Sequence, residues 1–291
     1  CGGGCSRGRP AKPRAQTRSR QAEVRGEKMN TLVFDIETIP DVEFGRQLYG
    51  LDGLSDAAVA RAMQSHAQQK SGSDFLPLLQ HRIVAISCAF RSREGFRVWS
   101  LGEESASERE IVERFFDGLD KFSPELVSWN GGGFDLPVLH YRGLRWSVPA
   151  PRYWETGAED ASFRYNNYLS RFHWRHIDLM DVLAGFQNRA RAGLSDTALL
   201  LGFPGKLGFD GSQVWDTWLA GDLTRIRRYC ETDVLNTYLV FLRFQLMRGQ
   251  LTATELTSEL ARVRSYLSAS GEPHLQEFLA AWPEQAEAPP S

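Results

Sequence analysis

Thr31-Leu32-Val33-Phe34-Asp35-Ile36-Glu37-Thr38 is the stretch on which the reading of this chain turns. Residues 31–36 form an apolar run of the kind that builds a buried strand, and the run ends in two carboxylates. Asp35 and Glu37 are two apart, a spacing that points both side chains to one face of a strand. Two charges on one face of an otherwise apolar strand are costly unless they meet water or a cation. An Asp-x-Glu pair at a strand end is common, and exposure to solvent would satisfy it. The longer string Phe34-Asp35-Ile36-Glu37-Thr38, directly after an apolar strand, is more specific.

Two further segments carry related chemistry. Asn130-Gly131-Gly132-Gly133-Phe134-Asp135 follows a short apolar strand at 126–129 and precedes a helix expected from about 134 to 142, with Gly143 as its stop. Its glycines let the backbone approach a ligand closely. Asp135 at a helix start also reads as an N-cap; Asn130 and Phe134 read equally well as a turn residue and a core residue. Tyr229-Cys230-Glu231-Thr232-Asp233 lies in a long amphipathic helix expected over Leu223–Met247. Tyr229 and Asp233, four apart, share one helix face. Brought together, Asp35, Glu37, Asp135 and Asp233 would offer four hard oxygen donors, a set suited to Mg²⁺ or Mn²⁺.

In order and internal spacing the three segments resemble the motifs of the DEDD exonucleases. Arg228 stands where the sister subclass needs histidine, so the resemblance is to the tyrosine (DEDDy) subclass. Within it, the chain looks most like the predicted 3′–5′ exonucleases related to the proofreading domain of family-B DNA polymerases, over approximately residues 30–250. The resemblance implies an α/β, ribonuclease-H-like mixed sheet flanked by helices. It also implies a phosphodiester hydrolase with two ions, roughly 3.5–4 Å apart, held by the four carboxylates. Asp35, Glu37, Asp135, Tyr229 and Asp233 would be catalytic. Tyr229, with a reference pKa near 10, would orient the attacking water rather than deprotonate it. Asn130, Phe134, Thr38 and Lys206 would meet the substrate strand. Lys206 sits in a glycine-rich loop, where a phosphate contact and a solvated lysine are both open readings. His176-Ile177-Asp178 precedes a helix that Asp178 would cap.

The implied substrate is the 3′ end of single-stranded nucleic acid, with DNA favoured, and the products are nucleoside 5′-monophosphates. RNA 3′-end trimming and a catalytically silent binding module of the same fold are the competing readings. A polymerase or repair partner is open. Residues 145–175 interleave aromatics with charges; base stacking and core packing both account for them.

The remaining pattern alternates strand and helix. A hairpin is expected from 82–90 and 96–101, and helices at 55–70, 107–122, 179–186, 195–201 and 252–268. Four units are expected: a disordered basic leader at 1–28, with Met29 as the natural start; an exonuclease domain at 29–250; a C-terminal helical extension at 251–282; and a disordered tail at 283–291. The leader reads as an artefactual extension, a nucleic-acid arm or a transit peptide.

The whole chain has a net charge of −2. Residues 1–28 hold eight Lys/Arg against two Asp/Glu, so the remainder is acidic, which argues against a uniformly basic nucleic-acid surface. The four cysteines show no zinc or disulfide pattern. No apolar run approaches the ~18 residues of a membrane span. A soluble, cytoplasmic protein is expected, with no membrane partner.

Overall fold

The computed structural model describes Gly2 and residues 30–283. The expected leader and tail lie outside the described residues, apart from Gly2 and Pro283. Five strands form one mixed sheet in the order β3-β2-β1-β4-β5. They are β1 (Thr31–Pro40), β2 (His81–Ser92), β3 (Gly95–Ser100), β4 (Glu125–Ser128) and β5 (His176–Asp178). β1 pairs antiparallel with β2, and β2 with β3. β1 and β4 are parallel, as are β4 and β5. The carboxyl ends of β1, β4 and β5 therefore open on the same edge, where loops can converge. The fold is the mixed sheet flanked by helices that the sequence implied, consistent with a ribonuclease-H-like architecture.

Eleven helices are described: α1 (Val42–Tyr49), α2 (Asp56–Ser71), α3 (Glu108–Phe122), α4 (Asp135–Trp146), α5 (Pro151–Trp154), α6 (Leu179–Leu183), α7 (Leu194–Leu200), α8 (Val214–Leu219), α9 (Leu223–Met247), α10 (Ala253–Ala269) and α11 (Pro273–Ala281). Strand alternation sorts the core. Leu32, Phe34 and Ile36 face a cluster with Val112, Phe115 and Leu119 of α3 and Leu136, Val138 and Leu139 of α4. Val33, Ala89 and Val127 face the other side, against Leu235, Tyr238 and Leu239 of α9. Leu256 and Leu260 of α10 and Leu275 and Phe278 of α11 belong to that same second cluster. Among the described residues no helix is long and apolar enough to cross a membrane.

Several sequence expectations change. Gly143 does not stop α4, which runs on to Trp146. Gly143 is buried inside the helix, and a Cβ there would make only an ordinary 3.6 Å contact with Phe116. The α4 turn ends instead at Ser147, in the left-handed conformation. β5 is only three residues long, too short for strand periodicity to register, and only its pairing with β4 defines it. α6 is a single turn, shorter than the expected 179–186. The aromatic stretch at 145–175 divides: Tyr153, Phe163 and Tyr168 are core, whereas Trp154, Tyr165, Phe172 and Trp174 are exposed.

Candidate active site

The site begins with β1. Val33, Asp35 and Glu37 alternate onto the face covered by α9, opposite Ala89, Ser87 and Ala85 of β2. A register break between Glu37 and Thr38 interrupts the ladder just beyond the carboxylate pair; such bulges bend a strand and re-aim its side chains. β4 pairs with β1 only as far as Val33. The Ile36 N–H, past the end of that pairing, donates instead to Asp135 Oδ1 at 3.1 Å. One hydrogen bond thus ties the second motif to the first.

Asp135 is not an N-cap. It is the first residue inside α4; the cap position is Phe134, which makes no side-chain cap bond. The Asp135 carboxylate reaches across the sheet end to Ile36 N as well as accepting from its own backbone. The loop before it is held by Asp178, whose Oδ1 accepts from Asn130 N at 3.0 Å and whose Oδ2 accepts from Gly132 N at 2.9 Å. Asp178 also caps α6 by accepting from Asp181 N, as its sequence position suggested. The loop's tightness explains its glycines: a Cβ on Gly131 would fall 2.3 Å from Ser128 Oγ, and one on Gly133 2.6 Å from Asn130 Oδ1.

α9 supplies the third motif. Asp35, Glu37 and Cys230 bring ligand atoms within 4.8 Å of one another. The Cys230 thiol donates to Asp35 Oδ2 and to the Asp35 carbonyl, both at 3.4 Å. Burial, together with Asp35 and Glu37, raises the Cys230 thiol well above its usual value, so it remains a donor. Tyr229 hydrogen-bonds the Asp233 carboxylate. Burial, then Asp233, Glu37 and Asp35, pushes the Tyr229 phenol far upward, so it is a neutral donor.

The electrostatics follow from crowding. Asp35 is raised well above the ordinary carboxylate range by desolvation and then by Asp135, Glu37 and Asp233. Glu37 is raised by desolvation, Asp233 and Asp135, and Lys206 opposes this. Burial pushes Asp135 to about 7, against hydrogen bonds from its own and the Ile36 backbone. Burial pushes Asp233 to about 6, moderated by Tyr229 and Lys206. Asp35 and Glu37 therefore each feel the charge of both Asp135 and Asp233, while the ligand atoms within 4.8 Å of one another are those of Asp35, Glu37 and Cys230. The carboxylate donors, hard oxygens short of positive charge, fit divalent cations of the Mg²⁺ or Mn²⁺ kind.

The substrate-side candidates are arranged around it. Thr38 Oγ1 lies 2.9 Å from His81 Nδ1. Phe134 packs edge-on to His81 and tilts against the exposed Phe75. Asn130 adopts φ 63, and its backbone is committed to Asp178. Lys206 is exposed yet acts on Glu37 and Asp233. Its loop is clamped by Asn236 of α9, whose Oδ1 accepts from Gly205 N and whose Nδ2 donates to Gly205 O at 2.9 Å.

Residues 73–282 match the family of predicted 3′–5′ exonucleases related to the exonuclease domain of PolB. The chain belongs to that family. The matched residues of this exonuclease family include Asp135, Tyr229 and Asp233, whereas Asp35 and Glu37 lie upstream of the match and join the cluster through β1. A stretch of 151 residues is 23% identical to a DNA polymerase of Archaeoglobus fulgidus, covering 51% of this chain and 19% of the polymerase. The chain thus spans about a fifth of the length of that curated relative.

Sequence reasoning missed three polar groups at this exonuclease-family site. Cys230 lay inside the third motif and was read only as a helix residue. Asn236 was legible as a polar residue within the apolar run Val234 to Phe241 of α9. His81 and Phe75 had no local signal. The motif's other acid, Glu231, turns away: it accepts from Ser100 Oγ at 2.6 Å and pairs with His274 at 2.7 Å.

The raised carboxylates give a pH signature in chelator. A folded-state pKa above the unfolded value means that the folded protein binds more protons between the two. Stability is then present at low pH and declines as pH rises through that window. For Asp135 the window runs from its ordinary 3.8 to about 7. The melting temperature in EDTA is expected to fall between pH 5 and pH 7.5, and excess Mg²⁺ should restore more of it at the higher pH. A flat or rising profile in EDTA would mean that burial of these carboxylates does not govern the pH dependence.

Proposed function

We propose that this protein is a metal-dependent 3′–5′ exonuclease. It hydrolyses the terminal phosphodiester of single-stranded DNA by a two-metal mechanism and releases nucleoside 5′-monophosphates. The observation that supports the reading is the carboxylate pair Asp35 and Glu37 beside α9, with Asp135 bonded to Ile36 N and with Asp135 and Asp233 both acting on the pair. Family membership supports the nuclease class.

In this reading the four carboxylates would hold two divalent ions, which when bound would stabilise charge on the attacking and leaving oxygens and lower the pKa of the attacking water. The chain's own residues do the rest. The Ile36 N–H and the Asp178-bound glycine loop hold the Asp135 carboxylate still. Cys230 fixes the Asp35 carboxylate rotamer through Oδ2. Tyr229 stays protonated with its O–H on Asp233, and its oxygen accepts from the attacking water, so it orients rather than deprotonates. Lys206, on its clamped loop, faces the phosphate, and Phe134 packs beside the terminal nucleotide.

Tyr229→Phe retains the ring and removes only this hydroxyl. Turnover at saturating Mg²⁺ is expected to fall by up to roughly 10²-fold, since positioning alone is lost, with metal affinity nearly unchanged. Asp233→Asn should fall further, because it weakens ion binding itself. Single-turnover rates together with Mg²⁺ titrations separate the two. A Tyr229→Phe variant with wild-type rates across pH would assign water orientation to another group.

The decisive assay uses end-labelled single-stranded DNA and RNA, each with Mg²⁺, Mn²⁺ or chelator. Metal-dependent release of mononucleotides from the 3′ end, faster from DNA, is expected. No release from either strand would sink the exonuclease reading; faster release from RNA would make it a trimming ribonuclease.

A further inference from the structure

One surface beside the glycine loop is not used by the chemistry above. Between residues 161 and 193 the chain holds five arginines, of which Arg175 is buried, and two aspartates, with no lysine or glutamate, in a protein whose net charge is −2. Phe172 is 71% exposed, a conspicuous position for a phenylalanine on a segment that buries Phe163 and Tyr168. Its ring stands 5.1 Å from that of Phe186, at 70°. The Arg171 guanidinium lies 4.6 Å from the Phe186 centroid. Phe186 is held at φ 62, with its N–H bonded to Asp181 O at 2.8 Å. A bulky side chain in the left-handed region is a conformational outlier, and strain of this kind persists only where the surroundings impose it.

The shelf is continuous with the site. Asp178 holds Asn130 and Gly132 and caps α6 through Asp181 N. Asp181 in turn engages both Arg191, at 2.5 Å, and Arg171, at 3.6 Å. One carboxylate thus serves two guanidiniums and leaves positive charge on a surface that begins three residues from the residue anchoring the loop of Asp135. Flat aromatic faces next to arginine, near a site for a phosphodiester, are the ingredients of single-strand binding: bases stack on rings and phosphates meet guanidiniums. An acidic protein that must grip a polyanion needs such a local patch.

We propose that the Arg171–Phe172–Phe186 shelf is a binding subsite for the single strand upstream of the scissile nucleotide, with Phe172 stacking a base and Arg171 meeting the adjoining phosphate. The subsite rests on the nuclease reading for its place in catalysis, but its binding role can be measured without catalysis.

The test uses the full chain, as wild type, Phe172→Ala, Arg171→Ala and Phe172→Trp. The first measurement is equilibrium binding of a fluorescein-labelled twelve-residue oligothymidylate in EDTA, where nothing is cleaved. Phe172→Ala and Arg171→Ala should each weaken binding by roughly five- to a hundredfold, the scale of losing one stacked base, and Phe172→Trp should retain it. The second is cleavage with Mg²⁺ of oligomers from two to twelve residues and of the p-nitrophenyl ester of thymidine 5′-phosphate, which has no upstream nucleotide. The alanine variants should lose the gain of kcat/KM with length while hydrolysing the ester at the wild-type rate. Because Phe172 is exposed, the melting temperature should stay unchanged. Alanine variants that bind the oligomer as tightly as wild type, or a wild type that binds none, would overturn the subsite. Wild type that binds through the shelf but cleaves no substrate would leave the subsite standing and remove the nuclease reading.

Discussion

Asp35→Asn is expected to reduce metal-dependent turnover by roughly 10³-fold or more, while the melting temperature of the metal-free protein rises. Asp35 takes part in both effects for one reason. Its carboxylate sits among Glu37, Asp135 and Asp233, each of which raises its pKa. With ions bound, that crowding becomes ligation, and losing one ligand forfeits several kcal/mol of charge stabilisation in the transition state. Without ions, the same crowding is repulsion, and a neutral amide relieves it. Asparagine is the useful substitution because it keeps an oxygen acceptor for the Cys230 thiol, now 3.4 Å from Oδ2, and so disturbs packing little. Mononucleotide release with Mg²⁺ and Mn²⁺, beside thermal melts in EDTA, tests both halves. Wild-type turnover would remove Asp35 from the ion-binding set; a lower melting temperature in EDTA would show that its charge is not in conflict with its neighbours.

Arg142→Leu is expected to produce the largest loss of stability. Arg142 is 3% exposed and faces two buried carboxylates. Its Nε and one terminal nitrogen donate to Glu108 at 2.7 and 2.5 Å, and the other terminal nitrogen donates to Asp41 at 2.6 Å. Glu108 also accepts from Ile83 N and from Trp146 Nε1. Asp41, directly after β1, caps α1 through Phe44 N. Removing the guanidinium leaves Glu108 buried without its cation and Asp41 with only Arg145 at 4.0 Å, a loss of about 3–5 kcal/mol. For a domain of this size that corresponds to a fall of the order of 10 °C. Adding Glu108→Gln should recover part of it by discharging one orphaned acid. A single variant melting within a degree or two of wild type would mean that water reaches these carboxylates. The ion group joins the end of β1 to β2, α3 and α4, so the same variant should also blunt turnover by loosening Asp135 against Ile36.

The primary sequence already determined a good deal. Continuous apolar runs located β1 and β2, which are buried on both faces, and the 3.6-residue period located α3, which buries one face. Ser55, Ser107 and Thr252 each cap the helix their positions announced. The three acidic segments were legible because each is a short local string in an element of obvious type. Tertiary structure decided the rest. Gly143 reads locally as a helix stop, and only the structure shows the helix running on past it to Trp146. Asp135 could not be told from a cap, because its partner is Ile36, 99 residues away. β5 exists only through β4. Cys230 and Asn236 have local identities, a small thiol and a buried amide, whose roles appear only when β1 and the 203–206 loop are laid beside α9. Local chemistry is written along the chain; the hydrogen-bond partner that gives a polar group its job is chosen by which elements the sheet brings into contact, and that contact has no signature in either segment alone.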